Sequence, residues 1–169
     1  MSSTRRKAAL TLGALALAGG SLVLATSSAM ATGGSGWNSS VLKLSTETIN
    51  FAVVDVGAPG PALGQGDQII SADKVFRNGK EIGTDGVVCT VVNSTPDALT
   101  CQWVMTMSLP DGQLTLQGIA DGPTGPPTEP LAYTLAVTGG TGSYRGAGGS
   151  ADIVDNPGGA EQVTVRLTR

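Results

Sequence analysis

Few residues in this 169-residue chain can do chemistry, and histidine is not among them. Without an imidazole no Ser-His-Asp relay can form, and no G-x-S-x-G elbow is present to expose a serine. Two thiols alone, Cys89 and Cys101, do not complete a zinc shell, so neither a metal nor another cofactor is expected. That leaves carboxyls, tyrosines and a few cations. Asp73 falls mid-way along an alternating stretch with Ile69, Ser71 and Val75, a place for a carboxylate that faces either solvent or a polar cavity. A carboxyl in a half-apolar cavity has a raised pKa and can exchange a proton with a phenolic or quinone-like oxygen. Paired carboxylates could also serve a glycosidase, but spacing along the chain does not show whether two of them face each other. Tyr133 lies on the apolar face of its segment, either as core or as cavity lining.

The elements that must position these groups are strands. The 25 glycines and nine prolines interrupt the chain too often for long helices. Apolar residues recur at period two, bounded by Gly, Pro, Asn and Asp clusters. The pattern predicts eight strands: 41–56, 67–76, 84–92, 99–109, 113–120, 131–138, 148–155 and 161–168. Asn78-Gly79 is a strong hairpin signal between the second and third. Eight antiparallel strands with short turns form a sandwich or a closed barrel, and closure leaves no edge while enclosing room for side chains or one small ligand. An even cysteine count in an exported chain suggests one disulfide. A hairpin centred on Thr95 sets Cys89 directly opposite Cys101 and Val91 opposite Leu99. The same face then carries Val87, Trp103, Met105, Met107 and Leu109, with Gln102, Thr106 and Ser108 on the other.

Export is read from the N-terminus. Arg5, Arg6 and Lys7 precede an uncharged apolar stretch from Ala8 to Ala25, and Ala29-Met30-Ala31 offers small residues at −3 and −1. Residues 1–31 are expected to be a cleaved signal peptide, by the general or the twin-arginine route, with a Gly/Ser-rich arm over 32–40 and the domain over 41–169. Removing residues 1–31 takes three of the ten basic residues and none of the 13 acidic ones, so the net charge moves from −3 to −6. An acidic domain without a basic cluster does not suit nucleic acid or an anionic membrane, and a secreted, extracellular protein is expected.

The stretch Ala136-Val137-Thr138-Gly139-Gly140-Thr141-Gly142-Ser143-Tyr144-Arg145-Gly146-Ala147-Gly148-Gly149 resembles the G-G-T-G-x-[FY]-x-x-A-x-G corner of the dirigent and allene oxide cyclase family. Gly66-Asp67-Gln68 to Phe76, and Cys101-Gln102-Trp103 to Leu116-Gln117-Gly118, match that family's elements in order, and the similarity spans about 51–167. The corner reads first as a sharp turn, and it lacks the Lys-Ser/Thr pair of a phosphate loop. The resemblance implies an all-β, eight-stranded antiparallel barrel of lipocalin-like shape, often a homo-oligomer (dimer or trimer). It also implies a cavity that binds a small apolar organic molecule and directs its cyclisation or stereochemistry. Asp55 stands where plant dirigents carry an acidic pair, but the second position is Val56, and Gly148 replaces an arginine those proteins usually show. Candidate catalytic residues are therefore Asp55, Asp73 and Arg145, and candidate ligand contacts are Trp103, Met105, Tyr133 and Tyr144. A non-catalytic binding barrel and a structural surface protein with a filled interior are the alternatives.

Overall fold

The computed structural model describes residues 39–56 and 62–168. The expected signal peptide and most of the arm lie outside these residues. Eight strands follow one another around a closed barrel: β1 Ser40–Val54, β2 Gln68–Arg77, β3 Lys80–Ser94, β4 Leu99–Leu109, β5 Gly112–Gly122, β6 Leu131–Gly140, β7 Gly148–Asn156 and β8 Ala160–Thr168. Every neighbouring pair is antiparallel, and β1 closes the barrel on β8 from Ser40↔Leu167 to Glu47↔Ala160. Asn78 and Gly79 both take positive φ, 53° and 74°, the geometry that a two-residue hairpin with native twist requires. Strand β3 therefore begins at Lys80, earlier than its alternation alone suggests.

Period-two alternation sends one face of each strand inward. At one end the interior is solid, with Val75, Met105, Met107, Leu114, Leu116, Ile153, Val163 and Val165 completely or almost completely buried. At the other end the strands separate. Beyond Glu47 strand β1 has no β8 partner, and beyond Gln117 strand β5 leaves β6. With less side-chain volume and fewer ladder bonds holding the wall in, that end stays hollow.

The glycine corner lies at the solid end. Gly142–Tyr144 forms a single 3-10 turn, and the corner docks on the β4–β5 turn. There Thr141 N–H donates to Gln113 O at 2.9 Å and Ser143 N–H to Asp111 O at 2.7 Å. A Cβ on Gly140 would stand 2.5 Å from Gln113 O, so the close backbone approach requires glycine there.

Cys89 and Cys101 form the expected disulfide, with both residues buried. The expected register needs a correction. Cys89 faces Trp103 and Val91 faces Cys101, a displacement of two residues. The hairpin turns through Thr95-Pro96-Asp97-Ala98, where Thr95 N–H donates to Ala98 O, and a bulge between Val91 and Asn93 takes up one more residue. Pro96 supplies the fixed φ that starts such a turn. A shift of two preserves the facing, so both sulfurs still meet inside.

Candidate active site

The hollow end encloses a cavity of about 600 Å³, above the roughly 300 Å³ at which ligand pockets begin. Its walls are mainly apolar: Phe51, Ile69, Val87, Leu99, the Cys101 half of the disulfide, and an aromatic pair. In that pair Trp103 and Tyr133 stack with ring centroids 5.4 Å apart and planes 20° from parallel. The β5–β6 connection, rich in Pro and Gly, lies along the rim through Pro123–Pro127. On the opposite rim the buried Asp67 carboxylate accepts from Val56 N–H at 2.9 Å and Gly64 N–H at 2.7 Å, fixing the connection into β2.

Between the cavity and the solid core lies a layer of acids. Asp73 and Asp85 face each other across β2 and β3 and are only 3% and 5% exposed. Ser71, in the cavity lining, donates its hydroxyl to Asp73 Oδ2 at 3.0 Å. As a carboxylate, Asp85 has no donor for either oxygen, and Asp73 Oδ1 has none. With a proton on Asp85, the two side chains hydrogen-bond instead. Burial first, then that bond and the negative charges of Asp73 and Glu161, push Asp85 up to about 9. Glu161, opposite Thr46 at the start of β8, is pushed up to about 7. Burial is the main cause; Asp155 and Asp73 add to it, and the Thr46 hydroxyl opposes it. Burial raises Asp155 as well, and the Tyr133 phenol is raised by burial and by the surrounding acids. Both Glu161 and Asp155 line the cavity. Together these groups can hold, give up and take back a proton near neutral pH inside an apolar chamber.

Of the residues singled out in the sequence, Asp73, Trp103 and Tyr133 come together here. Met105 is fully buried in the core beneath. Asp55 is exposed just past the end of β1. Tyr144 is buried at the solid end and Arg145 is exposed beside it, both remote along the strands from the cavity. Asp85, Asp155 and Glu161 escaped notice, although parity marks them. Asp85 continues the inward series Val87-Cys89-Val91, Asp155 continues Ala151-Ile153, and Glu161 begins Val163-Val165-Leu167.

The allene oxide cyclase barrel like domain matches residues 41–166. The chain belongs to this family. Among solved structures, this family member is similar to a pyocyanin demethylase, with 30% identity and a TM-score of 0.62, over 76% of this chain and all of that one. The pterocarpan synthase dirigent protein shares the fold at 19% identity and TM-score 0.59, over 79% of this chain and 89% of that one. An exo-specific intermolecular Diels-Alderase does so at 19% and 0.57, over 78% and 97%. No curated protein sequence matches the chain. Among the described residues, no helix is long and apolar enough to cross a membrane.

Proposed function

We propose that this barrel is an exported, cofactor-free catalyst of proton-coupled rearrangement, either ring closure or tautomerisation, in a small, flat, largely apolar organic molecule. The observation that carries this reading is the buried Asp73–Asp85 pair, tied through Ser71 to the wall of an apolar cavity of about 600 Å³. The open volume does not suit a barrel that is only a filled scaffold. Trp103 and Tyr133 would stack on the ligand plane and hold one conformer, so that cavity shape sets the stereochemistry. Asp85, protonated at neutral pH, serves as the acid toward a carbonyl or ring heteroatom. Glu161, poised near 7, takes a proton from the ligand and returns it. Asp73 accepts the hydrogen bond from the Asp85 carboxylic acid and so holds that proton in place, Ser71 fixes the orientation of Asp73, and the charge left when the proton departs stays on Asp85 until the proton is returned. Asp55, Arg145, Tyr144 and Met105 have no part in this step.

The relative at 30% identity favours a second reading, in which the molecule is an N-methyl heterocycle and the outcome is demethylation, the ring itself accepting two electrons while water adds to the methyl carbon, which leaves as formaldehyde. One experiment addresses both. The protein is incubated in D2O with anthrone, a flat tricyclic ketone with an exchangeable methylene, and separately with pyocyanin, and the products are read by mass spectrometry. Accelerated deuterium incorporation into anthrone, reduced at least tenfold by Glu161→Gln, supports proton-coupled rearrangement. Loss of a methyl group from pyocyanin supports the second reading. If neither probe changes while both quench tryptophan fluorescence in the wild type and not in Trp103→Phe, the barrel binds without catalysis.

A further inference from the structure

The cavity's charge is one-sided. The titratable groups that line it are Tyr133 from β6, Asp155 from β7 and Glu161 from β8, and behind them lie Asp73 from β2, bonded to the lining Ser71, and Asp85 from β3. Strand β1 adds the Thr46 and Thr48 hydroxyls, and the inward residues of β4 and β5 there are Trp103, Met105 and Leu116. Among the described residues, no lysine or arginine lines the cavity. Nor does any group of three acids among them have the arrangement to hold a metal ion.

A second observation points to what is missing. Asp85 is 95% buried and, once ionised, has no donor for either oxygen, while Glu161 Oε2 is likewise enclosed without one. Enclosed carboxyl oxygens without donors are costly, and a ligand that brings a donor or a positive charge removes that cost. The wall above them is the Trp103–Tyr133 stack, whose π faces attract cations and not anions.

We propose that the cavity is cation-selective, its ligand being a flat ring system that carries a positive charge, or a nitrogen that gains one on binding, directed at Glu161 and Asp155 with the Asp73–Asp85 pair behind them. The inference rests on the cavity being the substrate site and names the ligand's charge class. A neutral ring brings the acids no compensating charge, and a ring bearing a carboxylate meets like charge in a region of low dielectric. A bound cation also favours the ionised acids. Binding therefore releases protons, and affinity rises with pH as Glu161 and then Asp85 give theirs up.

The test compares three tricyclic probes of similar shape by titration calorimetry on the intact protein: N-methylacridinium, neutral 10-methylacridone and anthracene-9-carboxylate. Each is measured at pH 6 and pH 8 in buffers of different ionisation heat. The expected result is at least tenfold tighter binding of the acridinium than of the acridone, and none of the carboxylate. The acridinium should also bind several-fold tighter at pH 8 than at pH 6, with proton release. Glu161→Gln and Asp85→Asn, both neutral near-isosteres, should move the cation-to-neutral ratio toward one while melting cooperatively. Equal or tighter binding of the acridone or the carboxylate overturns cation selectivity and leaves the proposed function standing. Failure of all three probes to bind overturns both.

Discussion

Enclosed beside Asp73 and without a donor for either oxygen, the Asp85 side chain at neutral pH is an acid and not an ion. An amide of the same shape reproduces its neutral form but cannot release a proton. Asp85→Asn should therefore leave the fold intact, donate to Asp73 in place of the carboxylic acid, and lower the rate of proton exchange with a bound probe by tenfold or more. Asp85→Ala differs: it leaves a cavity and a buried Asp73 with one partner fewer, and should cost about 2–3 kcal/mol in urea unfolding. A shape-conserving variant that loses exchange but keeps its melting temperature separates chemistry from packing. Glu161 is tested through its pH dependence. With its pKa raised to about 7, wild-type exchange should show an inflection there, and Glu161→Gln should abolish it. An inflection that survives the substitution would assign the titration to another group.

Strands were legible in the sequence because alternation is a direct consequence of a two-sided wall, and the β2–β3 turn because Asn78-Gly79 admits few conformations. The staple was legible too, while its register was not, since a bulge at Val91/Asn93 has no residue signature in this chain. The site was only partly readable. Asp73 stood out mid-strand, but Asp85 and Glu161 sit where the apolar alternation of their segments starts, a place that reads as a solvated strand end, although β3 in fact begins at Lys80. Parity puts both on the inward face, and closure of the barrel is what buries that face. At this scale the staple and the corner give opposite kinds of test. The disulfide spans 12 residues at the cavity wall, and replacing both cysteines by serine should cost roughly 2–4 kcal/mol, measured by urea unfolding. The corner's constraint is steric. At Gly149, φ is 126° and a Cβ would lie 1.9 Å from Arg166 O, whereas at Gly146, φ is 73° with open space around it. Gly149→Ala should therefore be clearly destabilising, by about 3 kcal/mol, and Gly146→Ala by about 1 kcal/mol. Equal costs would mean that the β7–β8 contact does not constrain the corner.

For the molecule as a whole, the acid layer sets how stability depends on pH. Unfolded, Asp85, Asp155 and Glu161 would ionise near ordinary carboxyl values, 3.8 and 4.5. Folded, they keep their protons to higher pH, about 7 for Glu161 and about 9 for Asp85. Between the unfolded and folded values the native state binds more protons, so stability falls as pH rises. The decline begins near pH 4, flattens for Glu161 above about 7 and for Asp85 above about 9. Asp152 acts in the opposite sense. Bonds from Arg166 and Thr134 lower its pKa, so its contribution is lost only as pH drops below the usual carboxylate range, outside this window. The unliganded barrel should accordingly melt on the order of 5–10 °C higher at pH 5 than at pH 9. Asp85→Asn should remove much of that slope by stabilising the protein on the alkaline side, and a cationic ring in the cavity should do the same by compensating the charge. Scanning calorimetry of the wild type, the variant and the N-methylacridinium complex at both pH values checks all three. A wild-type protein as stable at pH 9 as at pH 5 would show that the acids are solvated in the native state, and the proton store that the proposed chemistry depends on would not exist.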